Sequence, residues 1–192
     1  MELSNFIQVM DTDVDKKVIG NFIKFLNAKA NFEDATILKS GKKFNAVDKT
    51  VRSTKAFSLS KENESLSVVH WYNFWHNVIK NYHLKYQQLT NTQTGASIIK
   101  TMDALKYEVG DFYVSHVDHH ITFPRNLSII FFLNDEYQGG EIFFQTPDKK
   151  EDIIKVEPQS GRLIMWPSNF LYPHRVGEVR KGTRFVIVSW ML

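Results

Sequence analysis

The chain has 192 residues, enough for one domain with a sizeable core, and its 43% hydrophobic and 23% charged residues are ordinary for a globular protein. The net charge of +3 is spread without a basic run, the pairs Lys42-Lys43 and Lys149-Lys150 reading as solvated loop charges, which argues against a nucleic-acid partner. With no cysteine, disulfides and thiolate metal sites are excluded, so any metal must be held by His, Asp or Glu.

Met1 to Met10 lacks the basic stretch and apolar run of a signal peptide, and no apolar run approaches the ~20 residues of a membrane span. The expectation is a cytoplasmic protein without membrane contact. Val14, Val18, Phe22, Phe25 and Leu26 share one helical face, with Thr12 and Asp13 as candidate N-caps. From Ser65 to Leu89 a second stripe, Val68, Tyr72, Trp75, Ile79, Tyr82 and Tyr86, predicts a long helix lying across a sheet. His70, His76 and His83 fall on it at spacings of six and seven, not the i, i+4 spacing of a metal pair, and read as structural or exposed.

The character changes near residue 95. Short segments rich in β-branched and aromatic residues follow, separated by Gly, Pro, Asn and Asp. The predicted strands are Ile98–Val109, Phe112–Val117, Asn126–Leu133, Glu141–Gln145, Asp152–Val156, Arg162–Trp166, Pro173–Val176 and Thr183–Met191. This is a mainly β chain with N-terminal helices: a sandwich, jelly roll or barrel. A single domain over 1–192 is expected, with 1–95 a mainly helical support and 96–192 the β core.

Within Tyr107 to Asp118, His116-x-Asp118 places an imidazole and a carboxylate two residues apart, on one face of a strand end. A further imidazole would complete a facial triad with open positions, the arrangement that suits Fe(II). The tripeptide alone proves little, since His119 and His120 follow at once and a polar histidine-rich loop is an alternative. Context comes from His174, beside a predicted strand, and from Arg184, which opens an apolar strand. Alternation puts Arg184 on the face of Val186, Val188 and Trp190, where a guanidinium calls for an anion unless it reaches water at the strand mouth.

These segments resemble the 2-oxoglutarate/Fe(II)-dependent dioxygenases, and within them the prolyl 4-hydroxylase-like branch. The similarity is carried by Tyr107, Gly110, Tyr113, His116 and Asp118, then Arg125-Asn126-Leu127-Ser128 and Gly139-Gly140-Glu141, then Gly161, Pro167, His174, Val176, Gly182, Arg184 and Trp190. Val51-Arg52-Ser53-Thr54 is similar to a segment ahead of the core that touches substrate in that branch. The resemblance implies a double-stranded β-helix (jelly roll), with His116, Asp118 and His174 binding Fe(II). It implies that Arg184 pairs with the distal carboxylate of 2-oxoglutarate and that Tyr107 helps hold this co-substrate. Tyr113, Arg125 and Trp190 would lie near the substrate, with Arg52 and Thr54 as further substrate contacts.

The implied reaction consumes O₂ and 2-oxoglutarate, gives succinate and CO₂, hydroxylates a C–H bond, and is commonly supported by ascorbate. A prolyl residue in a peptide or protein is the implied substrate. In a regular strand Tyr113 would face away from His116, so a bulge or strand end is needed to turn it inward. Two features separate the chain from parts of the branch. Collagen-type relatives carry lysine where Arg184 stands, and oxygen-sensing relatives carry tyrosine at Phe132. Alternatives are the same chemistry on a free amino acid, a lysyl side chain or a small metabolite, or a non-catalytic jelly-roll binding module.

Overall fold

The computed structural model describes residues 2–38, 45–122, 124–148 and 151–192, so both lysine pairs lie outside the described residues. In chain order the elements are β1 (Gln8–Asp11), α1 (Lys16–Lys29), β2 (Glu33–Asp34), β3 (Ile37–Leu38), β4 (Asn45–Ala46), β5 (Arg52–Ser53), β6 (Lys55–Ser58), α2 (Leu66–Thr90), β7 (Ile99–Tyr107), β8 (Phe112–His116), β9 (Leu127–Phe132), β10 (Gln138–Gly139), β11 (Ile142–Gln145), β12 (Asp152–Val156), β13 (Arg162–Pro167), β14 (His174–Val176), β15 (Val179–Lys181) and β16 (Arg184–Met191).

The helices form where the apolar stripes lie. Helix α1 buries Ile19, Phe22 and Leu26, but its cap is Asp15, whose carboxylate accepts from the Lys17 amide at 2.7 Å. The expected caps are used otherwise: the Thr12 hydroxyl donates to the Gly161 carbonyl, and the Asp13 amide donates to the Tyr82 hydroxyl. Helix α2 buries Val68, Trp75, Ile79 and Tyr86 and stops at Asn91, which takes a left-handed φ of 51°. His83 is structural, with Nε2 at 2.8 Å from the Thr94 hydroxyl. No described helix is long and apolar enough to cross a membrane.

The strands form a jelly roll. A seven-stranded antiparallel sheet runs β1-β13-β9-β16-β7-β6-β2, and a five-stranded one runs β12-β11-β14-β8-β5. Alternation sorts the large sheet's two faces. Met102, Ala104, Ile129, Phe131, Leu163, Met165 and Ile187 pack under the helices, where the Trp75 and Phe131 rings lie 4.8 Å apart. Leu105, Tyr107, Ile130, Phe132, Ile164, Trp166, Val186, Val188 and Trp190 face Ile142, Phe144, Val156 and Val176 of the small sheet. Being covered on both sides, β9 and β16 are buried along their whole length.

The N-terminal half contributes more than helical support. Strand β1 edges the large sheet against β13, β6 pairs with β7, and β5 completes the small sheet against β8.

Candidate active site

The site lies between the sheets, where β8 and β14 pair with His116 opposite His174. Three steps along β8, Tyr113 to His116, are matched by two steps of β14, His174 to Val176. That bulge turns Tyr113 to the His116 side, and the two rings stack at 3.6 Å.

Each histidine is oriented by the chain itself. His116 Nδ1 lies 2.8 Å from the Val114 carbonyl, and His174 Nδ1 lies 3.1 Å from the Tyr172 carbonyl. A carbonyl only accepts, so Nδ1 carries the proton and Nε2 presents its lone pair to the site. His116 Nε2 is 3.6 Å from Asp118 Oδ1, and His174 Nε2 is 3.5 Å from Asp118 Oδ2. Ligand atoms of all three residues fall within 4.8 Å of one another.

Asp118 is buried, and Ser128 donates to its Oδ2 at 2.7 Å. The Ser128 hydroxyl also lies 2.7 Å from that of Ser168, so a chain of two buried hydroxyls fixes the carboxylate. Burial alone would raise the Asp118 carboxyl, but His174, His116 and the Ser128 hydroxyl outweigh it and hold the carboxyl well below its usual range. His174 is pushed down to about 4 by burial and by His116, against the pull of Asp118. Two imidazoles and a carboxylate, without sulfur, form a donor set for a divalent first-row metal, and their closeness suits the facial arrangement of Fe(II).

Arg184 pairs across the sheet with Tyr107 and is 1% exposed. It does not reach water at the strand mouth. Its guanidinium carbon sits 4.6 Å from the Tyr107 ring centre and 5.4 Å from that of Phe132. Its Nε and Nη2 are buried without a hydrogen-bond partner among the described residues. A buried guanidinium with donors left over calls for an anion, and a carboxylate matches its planar fork. The site therefore fits both Fe(II) and a dicarboxylate.

Arg125 lies over the Trp190 ring at 3.7 Å and donates through Nη1 to the Asp118 carbonyl at 3.3 Å. Arg52, opposite Tyr113 in the sheet, lies 4.9 Å from that ring centre. Thr54, between β5 and β6, is buried and donates its hydroxyl to the Lys106 carbonyl of β7.

Sequence reasoning gave no role to Ser168, Tyr137 or Asp103, and used Ser128 and Gly140 only within a pattern. Gly140 has φ +66°, and a Cβ there would stand 2.8 Å from Arg184 Cδ. Tyr137 lies within electrostatic reach of Arg184, and burial pushes its phenol up to about 12. Asp103 shares the inter-sheet face of Leu105 and Tyr107. The Gly139-Gly140 pair was the one available signal, since a buried arginine needs a small neighbour.

Residues 102–192 match the family model described as the 2OG-Fe(II) oxygenase superfamily. A PKHD-type hydroxylase from Prochlorococcus marinus (strain NATL1A) is 40% identical over 87 residues, 43% of this chain and 37% of that protein. Human prolyl 3-hydroxylase 3 is 36% identical over 66 residues, 34% of this chain. The matched part is 9% of that human protein, so the chain covers well under half of either curated relative. Among solved structures, a Trichoplax adhaerens prolyl hydroxylase in complex with a hypoxia-inducible-factor peptide has TM-score 0.76 at 15% identity, covering 98% of this chain and 84% of that one. A Pseudomonas putida prolyl-4-hydroxylase has TM-score 0.71 at 17% identity, covering 97% and 92%. At these identities the two structures establish the shared jelly-roll fold.

Proposed function

We propose that this chain, whose residues 102–192 match the 2OG-Fe(II) oxygenase superfamily, is a 2-oxoglutarate- and Fe(II)-dependent hydroxylase acting on a prolyl residue of a peptide or protein. The observation that carries the reading is the pairing, in one inter-sheet space, of an N,N,O triad with Arg184, two of whose buried donors lack partners among the described residues.

His116, Asp118 and His174 would hold the iron and leave positions open for the keto acid and O₂. When bound, Fe(II) with 2-oxoglutarate and O₂ supplies the oxidising power to hydroxylate an unactivated C–H bond, with succinate and CO₂ as co-products. Arg184 binds the distal carboxylate of 2-oxoglutarate while Tyr107 and Phe132 flank its guanidinium. Ser128 and Ser168 keep Asp118 aimed. Phe144 and Trp166, packed against His174, keep water from that side of the metal. Tyr113 and Trp190 wall the substrate ring, and Arg52 and Arg125 donate to peptide carbonyls that lose water on binding. Ascorbate supports turnover by keeping the iron reduced.

The prolyl assignment draws support from relatives and structural neighbours named as prolyl hydroxylases, and from the bulge that brings Tyr113 beside His116. Anaerobic addition of Fe(II) and 2-oxoglutarate should produce a weak visible charge-transfer band. Full-strength bands in both His116→Ala and His174→Ala would remove the triad. Proline-containing peptides offered beside free proline and free lysine should gain one oxygen coupled to succinate. Oxidation of free amino acids alone would remove the prolyl-peptide assignment and leave the iron chemistry.

A further inference from the structure

Asp103 belongs to the site face of β7. It pairs with Val188 of β16 on one side and Ser58 of β6 on the other, in the row that contains Leu105 and Tyr107. Four residues along a strand span about 13 Å, so Asp103 lies well beyond the Arg184–Tyr107 pair, toward Trp190. This is the end of the cavity where Tyr113, Arg52, Arg125 and Trp190 gather.

The two arginines nearby make contacts elsewhere and keep donors to spare, Arg52 Nε being buried without a partner among the described residues. Arg125 stacks on Trp190 and donates to the Asp118 carbonyl, and Arg52 stacks on Tyr113 and donates to the Thr36 carbonyl at 3.3 Å. Both act on Asp103 through space, the Ser58 hydroxyl hydrogen-bonds it, and no ion pair to it forms among the described residues. Burial accordingly raises its carboxyl above the ordinary range. A part-buried, acceptor-only group on this face, short of a contacting cation, is a ready partner for a cation that a ligand brings.

We propose that Asp103 is a specificity residue that selects substrates presenting a cationic nitrogen beside the carbon to be hydroxylated, while Arg52 and Arg125 receive the neighbouring carbonyl or carboxylate. This rests on the hydroxylase reading and narrows its substrate class. An ammonium or guanidinium donates to a carboxylate, and such a charge-assisted contact gains strength where water is excluded. The nitrogen has two possible sources: a lysine or arginine side chain flanking the target proline, or the amine of a free amino acid.

The test compares proline peptides carrying lysine next to proline with the same peptides carrying acetyl-lysine or norleucine, and adds free proline and free lysine. Binding is measured calorimetrically with Fe(II) and 2-oxoglutarate under nitrogen; succinate and oxygenated product are measured in air. The wild type should bind the cationic ligands at least tenfold more tightly. Asp103→Asn should erase that difference with little effect on neutral peptides, and Asp103→Glu should keep part of it. Preference for the lysine peptide identifies a flanking side chain as the source, and preference for the free amino acids identifies the amine. Equal binding of charged and neutral ligands by the wild type overturns the proposal, as does an equal loss for both in Asp103→Asn, which would make Asp103 a structural anchor for the arginines. If Asp103→Asn does not fold, salt decides in the wild type: the preference must shrink as ionic strength rises. Absence of succinate under every condition would instead defeat the hydroxylase reading, and is read separately from the charge preference.

Discussion

Arg184 is the most committed single residue of the site, because nothing among the described residues satisfies two of its buried donors. Arg184→Ala should raise the KM for 2-oxoglutarate more than tenfold, the loss of a partly buried charge-assisted pair being on the order of 2–5 kcal/mol, while Fe(II) affinity stays close to wild type. Arg184→Lys should recover part of the binding, since an ammonium keeps the charge and loses the fork. Steady-state kinetics with varied 2-oxoglutarate checks both, and an unchanged KM in Arg184→Ala would move the anchor elsewhere. Ser128 acts one bond further out, through Asp118 Oδ2. Ser128→Ala should weaken metal binding by roughly 10–100-fold, as is usual when a ligand's supporting hydrogen bond is removed, and Ser128→Thr should restore most of it. A metal titration followed by Tyr and Trp fluorescence reads this without turnover. Arg184 stood out in the sequence because a charge opens an apolar strand on the face of Val186, Val188 and Trp190. The role of Ser128 was not legible, because a serine in a strand looks the same whether it faces a ligand or merely tolerates burial.

At the scale of elements, the catalytic face depends on irregularities that regular periodicities do not describe. The long elements were legible: α2 from its three-and-four stripe, and β9 and β16 as unbroken apolar runs. The short N-terminal strands were not. The two- to four-residue strands β2, β5 and β6 are too short to show alternation, and tertiary pairing alone makes them strands. The bulge in β8 could be named as a requirement but not located, because it is fixed by the β14 register. The turn after β10 is a comparable case. Gly140 holds φ +66° against Arg184, whereas Gly20 sits inside α1 with nothing within 4 Å of its missing Cβ. Gly140→Ala should cost about 1–2 kcal/mol for the left-handed backbone and displace Arg184, raising the 2-oxoglutarate KM. Gly20→Ala should instead stabilise the protein by roughly 0.5–1 kcal/mol with unchanged kinetics, since only helix propensity is altered. Thermal melts paired with KM values distinguish the two, and equal effects would show that the Gly140 contact is relieved by side-chain movement.

Across the whole molecule, closing two sheets over a polar triad links folding to protons and to metal. His174 is 3% exposed and titrates at about 4 in the folded chain, against an ordinary value of 6.5. Between those two values the unfolded chain binds a proton that the folded one refuses. The metal-free protein should therefore keep the His174 contribution above about pH 6.5 and lose it progressively as pH falls toward about 4. The slope is at most about 1.4 kcal/mol per pH unit, and the whole effect about 3 kcal/mol. Asp118 does not enter that window. Its carboxyl is held below the ordinary 3.8, so its contribution is present above that value and is lost only in stronger acid. His76 and His83, both lowered by burial, add to the slope with the same sign, and the raised Asp103 opposes it. His174→Gln separates the triad from these others, because an amide neither charges nor titrates. Urea midpoints of the metal-free protein at pH 4.5 and 7 should differ markedly in the wild type and clearly less in His174→Gln. Bound metal stabilises the folded state by about 2.7 kcal/mol at a hundredfold excess over Kd, and it needs the same unprotonated Nε2 atoms. Chelation should therefore lower the urea midpoint at pH 7, and metal affinity should weaken with acid as protons compete for the histidines. A wild-type midpoint as steady with pH as that of His174→Gln would show that His174 is not shielded from water as its packing against Phe144 and Trp166 requires.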